Sequence, residues 1–205
     1  MYDVIRVGIA ILLAAPVVLI PVFRHTFQAR KVFFLVSAGL TAFLLASLLY
    51  QWPFENQFGG FGTAKQAIEY KYGKSNWLYT IENEQTALVL SDKTSEVLKK
   101  EGGRFYLTSP MYAARENAFA DSVSVIIRGD RRTQERFVQI TMMETDRKPE
   151  TILDSKETTF ERAFTYNGLT YFTGTFVEYG QPYALYIDGI DVDSFDPDAA
   201  SGEEE

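Results

Sequence analysis

Two apolar runs, Val4–Phe23 and Val32–Tyr50, stand at the start of the chain, separated by the short basic segment Arg24-His25-Thr26-Phe27-Gln28-Ala29-Arg30-Lys31. Each run is about twenty residues long, the length an α-helix needs to cross a hydrocarbon core of ~30 Å. Nothing later in the chain approaches that length. A helix satisfies its own backbone hydrogen bonds, so lipid accepts it where it rejects irregular chain. The expectation is a transmembrane helical hairpin over residues 1–52, with helices at about 4–23 and 32–50.

Orientation follows from Lys and Arg, which favour the cytoplasmic side. The segment between the runs carries Arg24, Arg30 and Lys31, the first flank offers Arg6 offset by Asp3, and no basic residue follows the second run until Lys65. The segment is therefore expected inside and both termini outside, which makes this a multi-pass protein of the cell membrane with its C-terminal domain extracytoplasmic. The first run reads as a retained helix. A cleaved signal has a basic start, a shorter apolar core and a small-x-small site, whereas this run ends Pro21-Val22-Phe23-Arg24 after a nearly neutral start. Tyr50 and Trp52 suit an interfacial aromatic belt at the outer end.

Ala38, Ala42 and Ala46 recur every fourth residue, and Ala10 and Ala14 do the same in the first run. Small residues at this spacing let helices approach closely in lipid. Two readings stay open: packing of the two helices on each other, or a contact face for another membrane protein.

The chain has no Cys and one His, His25. Disulfide frameworks and thiolate metal sites are excluded, and so, within the domain, are Ser-His-Asp, Cys-His and His-based zinc constellations. No Ser of the domain has Lys three residues on, and no P-loop or Gly-x-Gly-x-x-Gly occurs. Much of the net charge of -7 is carried by Asp188, Asp191, Asp193, Asp196, Asp198 and Glu203–Glu205. The domain proper is thus close to neutral, without the basic stripe nucleic acid requires.

Residues 53–62 read as a Gly-rich linker, 63–190 as a soluble domain and 191–205 as an acidic disordered tail. Thr63 with Gln66 makes a capping box for a helix that Gly73 stops. Trp77–Glu82 and Gln85–Ser91 read as a hairpin around Asn83-Glu84. Asp92–Glu101 reads as a short helix ended by Gly102-Gly103, Arg104–Thr108 as a strand, and Ser109–Ala118 as a helical turn with Pro110 at its first position. Ser122–Ile127 and Arg136–Met143 flank the polar turn 129–133. Thr158–Tyr166 and Leu169–Val177 flank Asn167-Gly168, a turn whose two central positions need φ > 0. Tyr183–Ile187 follows the turn at 179–182. The fold class expected is α+β, two N-terminal transmembrane helices followed by one domain with an antiparallel sheet of about five to seven strands and a few short helices. A mostly-β sandwich is the alternative if 92–101 and 109–118 are not helical.

Catalytic carboxylates are not conspicuous. Glu82 and Glu84 flank a turn where exposed acids are ordinary, and the Asp188–Asp198 cluster lacks the Gly and distal Glu of an EF-hand. The reading is no enzyme, no metal and no cofactor. Arg128, Arg131, Arg132 and Arg136 bracket one hairpin turn and could meet an anionic polymer of the cell envelope. Phe160, Phe164, Tyr166, Tyr171, Phe172, Phe176, Tyr179, Tyr183 and Tyr186 crowd the last strands. They are core, or one row containing Phe172 and Phe176 forms a surface that stacks on sugars or grips a partner.

The run Phe61-Gly-Thr-Ala-Lys-Gln-Ala-Ile-Glu-Tyr, followed by a strand and Thr86-Ala-Leu-Val-Leu, resembles small uncharacterised membrane-anchored exported proteins of Bacillus-type Gram-positive bacteria. The resemblance covers about thirty residues of mostly apolar pattern, and it implies location but no activity. The function expected is a non-catalytic membrane-anchored surface module that binds a protein partner or regulates a membrane complex, with Ala38/Ala42/Ala46 as the candidate contact. The alternative is binding of a cell-envelope glycan or anionic polymer.

Overall fold

The computed structural model describes residues 2–23, 30–120, 123–143, 149–177 and 183–192. The first apolar run forms α1 (Tyr2–Ala14) and α2 (Pro16–Phe23), and hydrogen bonds through Ala15 join them end to end. The second forms α3 (Lys31–Gln51). Tyr2–Phe23 and Lys31–Gln51 are each long and apolar enough to cross a membrane. Residues 24–29, on which much of the orientation reading rests, lie outside the described residues.

Tyr2, Arg6, Ala10 and Ala14 are buried at every fourth position of α1, which is one helix face, and α1 packs on α3. On α3, Ala38, Ala42 and Ala46 are half-buried together with Thr41 and Leu45. Val36, Leu40, Phe43 and Leu44 are exposed. Among the described residues the small-residue stripe thus lies on the half-buried side of α3, and the residues turned outward are large and apolar.

The stretch after α3 is ordered by specific bonds. A 3-10 turn occupies Phe54–Phe58. The Asn56 side chain donates to the Leu107 carbonyl (2.9 Å) and accepts from the Leu107 N–H (3.0 Å). Phe61 and Phe105 exchange backbone hydrogen bonds of 2.8 and 2.9 Å, and the Ser109 hydroxyl donates to the Gln51 carbonyl. The capping box forms as expected: Thr63 Oγ1 accepts from the Gln66 N–H at 3.2 Å, and Gln66 Oε1 accepts from the Gly62 N–H at 3.1 Å. Helix α4 (Ala64–Tyr72) follows and stops at Gly73, φ +81°, a backbone state that glycine adopts without a Cβ penalty.

The rest is β, in three antiparallel sheets. The first is the meander β1 (Leu78–Glu82), β2 (Thr86–Ser91), β3 (Ser95–Glu101) and β4 (Arg104–Leu107). The second comprises β5 (Ala113–Ala120), β6 (Val123–Asp130), β7 (Glu135–Met143), β9 (Glu161–Tyr166) and β10 (Leu169–Val177), in the order β5-β6-β7-β10-β9. The third joins β8 (Ile152–Asp154), β11 (Leu185–Ile187) and β12 (Ile190–Asp191), with β11 in the middle.

The α+β class stands as expected, but two segments differ. Asp92–Glu101 is not a helix; Ser95–Glu101 is strand β3, paired with β2 and β4. Its Val97 and Leu98 are both buried yet enter different core clusters. Consecutive side chains leave opposite faces of a strand, and this strand is covered on both. Gly102-Gly103, read as a helix stop, is a tight hairpin turn with φ +56° and +74°, the signature of a type I′ connection. The segment 109–118 is helical only over Pro110–Tyr112, capped by Ser109, before β5 begins. The strands also divide among three sheets instead of one.

The layers stack in sequence. One face of the first sheet (Ala87, Val89, Leu98, Leu107) packs with Ala67 and Ile68 of α4 and with Tyr2 of α1. Its other face (Leu88, Leu90, Val97) meets Phe137 of the second sheet. The far side of the second sheet (Val125, Ile127, Val138, Ile140, Met142) packs on Tyr183, Leu185 and Ile187 of the third. Because β2 lies between two covered layers, it is apolar without alternation. The Glu135 carboxylate fastens the first two sheets, accepting from the Gln85 N–H (3.0 Å) and from the Thr86 hydroxyl.

Candidate functional site

Two constellations gather charge where the helices meet the domain. The first begins with an ionisable residue inside an apolar helix. Arg6 is 2% exposed and Glu55 9%, and the guanidinium pairs with the carboxylate through both oxygens, Nη2 to Oε2 at 2.8 Å. The Tyr70 hydroxyl of α4 donates to Glu55 Oε1 at 2.8 Å. Arg6 lies over the Tyr2 ring, 3.8 Å from its centroid, with Phe54 at 5.0 Å, and Tyr2 meets Tyr70 edge to face. Burial pushes the Glu55 carboxyl up, but hydrogen bonds from Arg6, the backbone and Tyr70 outweigh it and hold the group below its ordinary value. Burial and the bond to Glu55 push the Tyr70 phenol up to about 12. A bidentate pair with aromatic cover and a third hydrogen bond is the arrangement that keeps a desolvated charge pair favourable. It joins α1, the 53–62 connection and α4.

The second is a cavity of about 460 Å³ between the first two sheets, reaching to Tyr50 at the end of α3. Strand β6 alternates, sending Val125 and Ile127 into the third-sheet core and Arg128 to the opposite face. Arg115 of β5 is in register directly across from Arg128. Lys71 of α4 and Glu96 of β3 form an ion pair of 2.5 Å on the same wall. Three cations thus line the cavity against one carboxylate. Three buried atoms in this lining lack a hydrogen-bond partner: Arg128 Nε, Thr108 Oγ1 and Glu96 Oε2. Burial, and after it the charge of Arg115, press the Arg128 pKa down to about 10. Burial likewise works against the Lys71 ammonium, but the Glu96 charge prevails and its pKa is raised.

The four arginines expected to share a hairpin tip do not form one patch. Arg128 faces the cavity. Arg132 folds back on the fully buried Asp130, with Nε to Oδ1 at 2.9 Å, and covers the Tyr112 ring. Arg136 donates to the Thr133 and Glu135 carbonyls, each at 2.9 Å. Arg131 is exposed.

The expected aromatic platform is not an open row either. Phe172 and Phe176 are half-buried and pack against the core between the second and third sheets, and Phe176 stacks on Tyr183, centroids 5.0 Å apart. Phe164 stacks on Tyr171 at 4.4 Å and meets Trp77 and Tyr79 of the first sheet. Both aromatic rows are engaged in packing layers together. Tyr179 and the tail beyond Val192 lie outside the described residues.

Sequence reasoning missed Tyr2, Arg6, Glu55 and Tyr70, and it missed Lys71, Glu96, Thr108 and Arg115. Only Arg6 carried a signal, an ionisable residue within a long apolar run. Compared with family models, with curated proteins and with solved structures, the chain matches none.

Proposed function

We propose that the chain is a non-catalytic, multi-pass protein of the cell membrane whose extracytoplasmic domain binds a protein partner or regulates a membrane complex. The observation that carries this reading is the buried junction of Arg6, Glu55 and Tyr70. It locks the domain to the helix hairpin, so a force or partner acting on one displaces the other as a single body. Only about eight residues, 24–31, separate the helices, too few for an output domain at the inner face. A signal must therefore pass to another protein within the membrane. Since Ala38, Ala42 and Ala46 are half-buried on the face that packs within the hairpin, the side of α3 bearing Leu40 and Leu44 is the one left for a neighbour's helix.

A photo-crosslinking residue at position 44 and another at 42, each in the full chain in native membranes, test the reading. The expected result is one reproducible protein adduct from position 44 and internal links to α1 from position 42. Recovery of the chain alone from both positions refutes it. The second reading, an anionic ligand of the envelope, is favoured by the cavity at Arg128 rather than by the hairpin tip or the aromatic strands.

A further inference from the structure

The cavity between the first two sheets holds buried polar atoms that its own geometry leaves without a hydrogen-bond partner. Like charges set directly opposite on paired strands destabilise a sheet, and Arg115 and Arg128 are so placed. Of the two, Arg128 matters more. Its Nε is buried without a partner, and among the described residues no carboxylate lies within ion-pair distance of it. Glu96, the single acid of the lining, spends one oxygen on Lys71. Thr108, 5% exposed, leaves its hydroxyl unbonded in the same wall. A buried donor without an acceptor costs the full desolvation penalty unless something fills the site. An anion with several acceptor oxygens would offer partners to the Arg128 Nε–H and the Thr108 hydroxyl, against the repulsion of Glu96.

We propose that this cavity binds a phosphate-bearing anion, held by the Arg128 guanidinium with the Thr108 hydroxyl and the Lys71 ammonium. The guanidinium fork matches two phosphate oxygens, and donors from β6, α4 and the residue after β4 suit a tetrahedral group better than a planar carboxylate. The position agrees. Tyr50, at the outer end of α3, lines the cavity, placing it beside the headgroup layer in the proposed orientation. A lipid headgroup's diester and a soluble phosphate ester present the same recognising chemistry here.

The test uses the full chain in two settings. In phosphate-free detergent, inorganic phosphate and glycerol phosphate are titrated while thermal unfolding is followed. In nanodiscs, phosphatidylcholine with and without phosphatidylglycerol is compared by unfolding and by the lipid retained after delipidation. Wild type is expected to respond in at least one setting. Arg128→Gln should weaken that response about tenfold or more, the loss of one charge-assisted contact, while Arg132→Gln, whose partner is Asp130, leaves it unchanged. Response only to phosphatidylglycerol identifies the headgroup, and response in detergent identifies a soluble ester. Equal responses of wild type and Arg128→Gln, or equal losses in Arg128→Gln and Arg132→Gln, overturn the proposal. Should Arg128→Gln not fold, Glu96→Gln must tighten binding severalfold and Thr108→Val must weaken it; no change in either is a refutation. Partner capture from α3 does not enter this readout, so the two readings fail separately.

Discussion

Replacing Glu55 by Gln tests the junction most directly. The substitution keeps the shape of the side chain and removes the charge opposite Arg6, which is 2% exposed. Taking one partner from a buried pair costs about 3–5 kcal/mol, because the remaining charge has neither water nor counter-ion. Two features here reduce the loss. Arg6 keeps the Tyr2 ring at 3.8 Å, an interaction of about 1–2 kcal/mol when desolvated, and the Gln carbonyl can still accept one hydrogen bond. The expected loss is therefore about 2–3 kcal/mol. The assay is thermal or denaturant unfolding of the full chain in nanodiscs, with Glu55→Gln measured beside a cycle of Arg6→Met, Glu55→Leu and the double variant Arg6→Met/Glu55→Leu. The double variant should regain most of the loss, since an apolar pair of similar volume replaces a buried ion pair at little cost. A loss below about 0.5 kcal/mol for Glu55→Gln, or strict additivity in the cycle, would show that the pair does not fasten helix to domain.

Titration and packing give further expected outcomes. Glu55 has a lowered pKa in the folded protein, so its contribution is present above the ordinary carboxylate value of about 4.5 and is lost as pH falls through the lowered value; unfolding measured from pH 7 to 3 should show this loss, and Glu55→Gln should remove that part of it. Tyr70 shifts the other way, to about 12, so its contribution is complete below pH 10 and fades as pH rises through 12. Gly59→Ala and Gly60→Ala both place a Cβ at positive φ, but only the second drives it into Phe105 O (2.9 Å) and the Tyr106 ring (2.6 Å); denaturant titration should show Gly60→Ala the worse by about 1–3 kcal/mol. Phe137→Ala, at a fully buried position between the first two sheets, should cost about 3–5 kcal/mol. Phe172→Ala should also lower stability, and glycan binding that depended on Phe172 without such a loss would contradict its packing role.

How much of this was legible depends on whether the information was local. Thr63, Gln66 and Gly73 specify α4 because a cap and a stop act within one turn. Asn167-Gly168 specifies the β9–β10 hairpin because both residues accept positive φ, and they take +50° and +73°. Ser95-Glu-Val-Leu-Lys-Lys-Glu misleads for the opposite reason. Its Glu, Leu and Lys are good helix formers, while its strand state follows from β2 and β4, whose edges it pairs, and from layers that bury Val97 on one side and Leu98 on the other. Propensity is a weak prior against two covered faces. The arginines at the second hairpin were similarly read by proximity in sequence. Strand alternation and the fold-back onto Asp130 scatter them, and only the register of β5 against β6 sets Arg115 opposite Arg128.

The two charged constellations are not independent, because α4 supplies consecutive residues to them. Tyr70 donates to Glu55 in the junction, and Lys71 pairs with Glu96 in the cavity wall. The Lys71 ammonium also lies 6.0 Å from the Tyr2 ring on which Arg6 rests. An anion that draws Lys71 toward Arg128 must compete with Glu96 for it, and any rotation of α4 that results carries the Tyr70 hydroxyl relative to Glu55. Conversely, a shift of α1 that moves Arg6 and Tyr2 alters the ground on which α4 is seated, since Ala67 and Ile68 share a core cluster with Tyr2. Coupling of this kind is reciprocal in free energy. A short helix of nine residues, capped at both ends and packed on α1 and the first sheet, thus carries one residue of each constellation, and Tyr70→Phe and Lys71→Met measured in the two assays above would show whether the cavity and the junction are coupled through it.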